Sequence, residues 1–132
     1  MKLAGVFLVL PIIMAVAACK KSVPIRKGAV PLSGCNTQIF GNDGVKICYD
    51  SLVHESRCPA DGICFWQGAA VGKFSFFIKT DKHTLTLSTL RFGPYSRDTI
   101  VGNYKIELLN IDPYPGEHAP PPASASVKIT KL

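Results

Sequence analysis

Apolar and polar side chains alternate along much of this chain. Over residues 45–53, Val45, Ile47 and Tyr49 fall on one face and Lys46 and Cys48 on the other, the two-residue period of a half-buried strand. Residues 69–80 repeat the pattern, with Phe74, Phe76 and Ile78 opposed to Lys73, Ser75, Phe77 and Lys79. Asp81-Lys82-His83 is a short polar connection, and residues 84–89 return with Leu85 and Leu87 inward, so the two segments predict a hairpin. Tyr104, Ile106 and Leu108 alternate with Lys105 and Glu107 in a strand over 104–111, and 127–132 alternates again. Shorter strands are expected at 38–40 and 99–101, set off by Gly41-Asn42-Asp43-Gly44 and Gly102-Asn103. No segment after Cys19 carries a helical period. Six or seven short strands separated by turn signals predict an all-β fold, an antiparallel β-sandwich in preference to a small barrel, with an immunoglobulin-like strand order left open.

The stretch Ser56-Arg57-Cys58-Pro59-Ala60-Asp61-Gly62-Ile63-Cys64-Phe65-Trp66-Gln67-Gly68 interrupts this alternation. Two cysteines bracket a Pro, Asp and Gly turn, which predicts a disulfide-closed corner between two strands, with the single tryptophan, Trp66, turned into the core. Residues 113–122 hold five of the ten prolines and cannot join a ladder, so they are expected to connect the last two strands.

The N-terminus reads differently. Met1-Lys2 is a short basic start, residues 3–15 are almost wholly apolar, and Val16-Ala17-Ala18-Cys19 follows. That is the layout of a secretory signal. The apolar run is short for a spanning helix and is interrupted by Pro11. Val-Ala-Ala-Cys resembles a bacterial lipobox, which implies removal of residues 1–18, acylation of Cys19 and a lipoprotein held at the cell envelope. If the host is Gram-negative, the absence of acidic residues behind Cys19 points to the periplasmic face of the outer membrane.

The charge fits such an arrangement. The net charge of +6 arises from 15 basic and 9 acidic residues. Lys20, Lys21, Arg26 and Lys27 cluster behind Cys19, whereas from Gly28 onward ten basic residues face nine acidic ones, a net of +1. Basic residues beside a membrane gain on the order of 1 kcal/mol each from anionic headgroups and reinforce an acyl anchor. A nucleic-acid footprint would need the excess charge on the folded body, so no nucleic-acid partner is expected. The expected organisation is a signal over 1–18, a basic membrane-proximal tether over 19–32 and a single domain over 33–132.

Four cysteines remain, Cys35, Cys48, Cys58 and Cys64. An even number in an exported chain predicts two disulfides. Three pairings are open, and Cys58 with Cys64 and Cys35 with Cys48 are expected because each closes a local loop across turn-forming residues.

Glu55-Ser56-Arg57-Cys58-Pro59, followed by Cys64-Phe65-Trp66-Gln67-Gly68 and a strand, resembles a recurrent pattern in small bacterial exported lipoproteins: acidic-Ser-Arg-Cys-Pro, a short loop, then Cys-aliphatic-Trp-small-Gly. Tyr104-Lys105-Ile106-Glu107-Leu108-Leu109 and Pro113-Tyr114-Pro115 are similar to the later part of those proteins, so the likeness runs over about 45–115. Phe65 replaces the usual aliphatic residue, and Gln67 stands where a small one is common. The resemblance implies a fold and an address outside the cytoplasm. It implies no activity and no catalytic residues.

Candidate chemistry is sparse. Redox dithiols sit within one turn at a helix N-terminus, whereas Cys58 and Cys64 are separated by five residues that include Pro59 and Gly62. His54, His83 and His118 lie on separate segments, which predicts no metal site. Asp and Gly at 41–44 lack the later carboxylates of a calcium loop. Ser56 has no Gly-x-Ser-x-Gly surroundings, and its nearness to His54, or that of Glu55 to Asp61, comes without an orienting partner. No cofactor is expected. The expected function is therefore a non-enzymatic binding or structural accessory of the envelope, engaging an envelope protein or ligand. The alternatives are an inhibitor-like module using the loop from Arg57 to Cys64, with Arg57, Pro59 and Asp61 as contacts, and a small redox or hydrolytic enzyme.

Overall fold

The computed structural model describes residues 28–116, 118, 120, 121 and 123–132. The proposed signal over 1–18, Cys19, and the basic Lys20, Lys21, Arg26 and Lys27 lie outside them.

Among the described residues, eight strands form two antiparallel four-stranded sheets. They are β1 (Ala29–Leu32), β2 (Cys35–Phe40), β3 (Asp43–Glu55), β4 (Ala70–Ile78), β5 (Asp81–Ser88), β6 (Asp98–Val101), β7 (Tyr104–Asp112) and β8 (Ser124–Lys131). One sheet has the order β2-β3-β4-β5 and the other β1-β8-β7-β6. The sandwich expected from the alternation is the fold observed. Its strands run consecutively through each sheet, with β1 added beside β8, so the sheets do not interleave distant strands as an immunoglobulin domain does.

Each sheet turns its alternating apolar face inward. Val45, Ile47, Phe74 and Phe76 from one sheet meet Tyr104, Ile106, Leu108 and Val127 from the other, all at most 5% exposed. In β3 and β7 the period slips where the register shifts, between Tyr49 and Ser51, between Leu52 and His54, and between Leu108 and Asn110. The last slip returns Ile111 to the core, fully buried. A bulge re-aims the residues after it in this way.

Two boundaries differ from expectation. Residues 29–32 are not tether: Val30 and Leu32 are buried and pair with Val127 and Ala125 of β8. Pro31 is tolerated there because β1 is an edge strand, where a missing N–H breaks no ladder. The connection between β4 and β5 is the pair Lys79-Thr80, because Ile78 already pairs with Asp81. Lys79 takes a left-handed backbone conformation (φ 55°) without any Gly or Asn to announce the turn.

The registers place the connections at two ends. The two-residue turns at 41–42, 79–80 and 102–103 share one, the turn end. The longer connections 56–69, 89–97 and 113–123 share the other, the loop end. The β1 strand runs toward the loop end, so its start, to which residues 1–27 are joined, faces the turn end.

Candidate functional site

The loop end is held by residues whose chemistry serves structure. Ser56 ties the base of the β3–β4 connection: its amide and hydroxyl both donate to the Ala69 carbonyl, at 3.0 and 3.1 Å, and its hydroxyl accepts from the Ala69 amide at 3.0 Å. The Arg57 guanidinium is turned inward, with its side chain 3% exposed. Nε donates to Glu55 Oε1 at 2.8 Å and Nη2 to Glu55 Oε2 at 2.5 Å, a bidentate pair. Nη1 donates to the Ile111 carbonyl at 2.7 Å, and the ring of Tyr114 lies 4.5 Å from the guanidinium carbon. Arg57 is therefore not a side chain presented to a partner. It joins the β3–β4 connection to the end of β7.

Two disulfides are formed, Cys35–Cys48 and Cys58–Cys64, the local pairing expected. The first links directly opposed residues of β2 and β3. The second closes the tip of the loop, where the Gly62 amide donates to the Pro59 carbonyl at 2.9 Å and the Ala60 amide to the Pro115 carbonyl at 2.8 Å. Pro59 and Asp61 lie exposed on this closed turn. Chain-entropy arithmetic assigns the short Cys58–Cys64 loop about 2 kcal/mol. Replacing both cysteines by Ala is expected to cost that much in denaturant unfolding and to lower the fluorescence anisotropy of Trp66 in the folded protein. Unchanged anisotropy would show that the disulfide does not hold the tip.

What this frame displays is apolar. Ile63 is 98% exposed, Phe65 100% and Trp66 63%. The expectation that Trp66 packs into the core is overturned. Residues 56–69 contain no strand to impose an inward face, and Phe74, Phe76 and Tyr104 already occupy the space between the sheets. Phe92 and Tyr114, 40% and 46% exposed, project from the two neighbouring loops. Phe92 stacks on His54, near the loop end of β3, at 5.3 Å, while the Ala60–Pro115 bond and the Arg57–Tyr114 contact join the 56–69 and 113–123 loops. Every exposed large aromatic side chain among the described residues lies on this end. The sequence signal was the disulfide-bracketed loop itself, because apolar residues outside a strand period have no assigned interior.

The other candidates do not assemble. The Ser56 hydroxyl is engaged by Ala69, and His54 by Phe92. His83 lies on β5 and His118 on the 113–123 connection, and no group of three His, Cys, Asp or Glu side chains converges among the described residues. The pair formed by Lys131 and Asp43 (2.6 Å), on the surface at the turn end, holds the Asp43 carboxyl below its ordinary pKa, and Lys105 does the same for Asp98. An open depression of about 360 Å³ at the turn end is lined by Asp43, Ile78, Lys79 and Tyr104 together with the turn residues Asn42, Gly102 and Asn103.

No protein-family model matches the chain, no curated protein matches it in sequence, and no solved structure matches it.

Proposed function

We propose that this protein is an exported, membrane-held binding module of the bacterial cell envelope whose working surface is the loop end of the sandwich. The observation that carries the proposal is the exposure of Ile63, Phe65 and Trp66 on a loop braced by Cys58–Cys64 and Arg57. Leaving large apolar groups in water is unfavourable, and contiguous exposed apolar patches mark interaction sites. Bracing the loop in advance lowers the ordering cost of binding. Trp and Tyr are the residue types that dominate interface energetics. The partner is a protein with an apolar cleft able to take Phe65 and Trp66. Membrane attachment through acylated Cys19 and the basic residues behind it rests on the lipobox-like sequence, and the two disulfides suit an oxidising compartment.

The test is a photo-crosslinking side chain placed at position 63 in cells producing the full chain. A discrete protein adduct is expected, reduced at least roughly tenfold when Phe65→Ser and Trp66→Ser are combined, since hot-spot residues contribute about 2 kcal/mol or more each. The same crosslinker at Thr84, on an outer sheet face, should give no such adduct. An adduct insensitive to the double substitution, or none, would overturn the proposal. An inhibitor-like use of the same braced loop is the second reading, with Phe65 offered in place of the buried Arg57. It requires the adduct to be a protease.

A further inference from the structure

The near-neutral domain is electrically polarised along its long axis. Lys46, Lys79, Lys82, Lys105 and Lys131 all lie within a few residues of the turns at the turn end, against Asp43, Asp81 and Asp98, a local net of +2. All three arginines of the folded body, Arg57, Arg91 and Arg97, lie toward the loop end, where Glu55, Asp61 and Asp112 accompany them. Lys105 and Lys131 are committed to Asp98 and Asp43. Lys46, Lys79 and Lys82 form no ion pair with a described residue. Lys46 and Lys82 flank the Phe77 ring, with ammonium groups 5.5 and 5.9 Å from its centre, in one cross-strand row over β3, β4 and β5. The exposed large aliphatic side chains of this end are Ile39, Ile100 and Leu132, 70%, 61% and 66% exposed. Cations interspersed with single aliphatic groups suit the interfacial layer of a bilayer, where the ammonium groups meet phosphates and the apolar groups enter the headgroup boundary.

We infer that the turn end rests on an anionic lipid surface and thereby holds the aromatic loop end away from it. Two further observations agree. The start of β1, continuous with the segment carrying Lys20, Lys21, Arg26 and Lys27, faces this same end. β3 is bulged, and β4 spans the same length from Phe77, opposite Lys46, to Ala70, opposite Glu55, in seven residues, about 23 Å at strand rise, so a domain seated this way displays Trp66 more than about 20 Å from the headgroups. The inference goes beyond the proposed binding role and rests on the reading that the N-terminal segment holds the chain at a bilayer.

Trp66 is the only tryptophan and sits at the far tip, so it reports the orientation directly. The full membrane-extracted chain is reconstituted on vesicles of phosphatidylcholine, with or without phosphatidylglycerol, containing lipids that carry a nitroxide quencher on the headgroup. With phosphatidylglycerol, Trp66 emission should be nearly unquenched. Combining Lys46→Gln, Lys79→Gln and Lys82→Gln should lower the docked-to-undocked ratio roughly a hundredfold, at about 1 kcal/mol per lysine. Quenching should then rise, as it should in high salt or on pure phosphatidylcholine. Unchanged far-UV circular dichroism of the triple variant checks that the fold is kept. Co-flotation with both vesicle types and equal quenching throughout would overturn this inference alone. Strong quenching of unsubstituted protein on anionic vesicles would place the tip in the membrane and overturn it too. Failure to float with either vesicle type would overturn the membrane attachment, and this inference with it.

Discussion

Arg57→Ala is expected to lower unfolding stability by about 3–5 kcal/mol, the cost of leaving one member of a buried ion pair without its partner. The Arg57 side chain is 3% exposed and that of Glu55 20%. Truncation strands the Glu55 carboxylate, removes the donor to the Ile111 carbonyl and leaves the Tyr114 ring without its cation. Against a total of about 5–15 kcal/mol for a domain of this size, such a loss moves the thermal midpoint by roughly 10 °C or more. Arg57→Lys should recover only part of it, because an ammonium group cannot bridge both Glu55 oxygens and still reach the carbonyl. The combination of Glu55→Leu with Arg57→Met, which removes both charges and keeps the volume, should lie closer to the unsubstituted protein than Arg57→Ala does. A loss below about 1 kcal/mol for Arg57→Ala would mean that the guanidinium is solvated and free to meet a partner.

That prediction turns on a contact the sequence did not disclose. Arg57 and Ile111 are separated by 54 positions, and their meeting depends on β3 and β7 ending at the same end of two different sheets. The pair with Glu55, two residues away, lies within local reach of the sequence, whereas the link to β7 does not. Where side-chain period and burial coincide, as at Phe74, Phe76, Ile106 and Leu108, the elements and their inward faces were legible, because a strand with one buried face has only one register that keeps its apolar set inside. The local disulfides were legible because turn residues already bring their cysteines together. β1 was hidden by Pro31 and by its four-residue length: its inward residues acquire meaning only beside β8, about a hundred positions later in the chain. Trp66 misled because size and apolarity are indications of burial only when a strand or helix supplies an inside.

The same physics makes the loop motif divisible into two parts. Ser56, Arg57, Cys58, Cys64 and Gly68 build the corner, each through a bond or a close approach, while Ile63, Phe65 and Trp66 are what the corner displays. Substitutions in the first set should act on stability and, through it, on the rigidity of the tip. Substitutions in the second should leave stability within a few tenths of a kcal/mol, as expected for exposed positions away from structural bonds, and alter only what the end binds.

Gly68→Ala tests the first set where backbone alone is at stake. A Cβ built at Gly68 would fall on the carbonyl of Ser56, well inside contact distance, and 2.8 Å from the Arg57 amide nitrogen. Neither neighbour is a flexible side-chain end that can swing aside. Moving the Ser56 carbonyl means moving the peptide that also carries the Arg57 amide, which donates to Glu55 Oε1 at 3.1 Å. It also parts Ser56 from Ala69, whose three mutual hydrogen bonds close the base of the loop. The single methyl group is therefore expected to cost about 4 kcal/mol or more, in the range reserved for substitutions that break a bonded network or force a backbone shift. Gly72 offers the comparison. There the atoms nearest a Cβ belong to the Ile111 and Phe74 side chains, at 3.0 Å, so Gly72→Ala should be destabilising by the ordinary overpacking cost of about 1–3 kcal/mol. Denaturant unfolding of the two variants side by side decides the matter. If Gly68→Ala is no worse than Gly72→Ala, the Ser56–Gly68 approach is not a fixed feature of the corner, and the tip loses the rigidity on which its role as a docking surface depends.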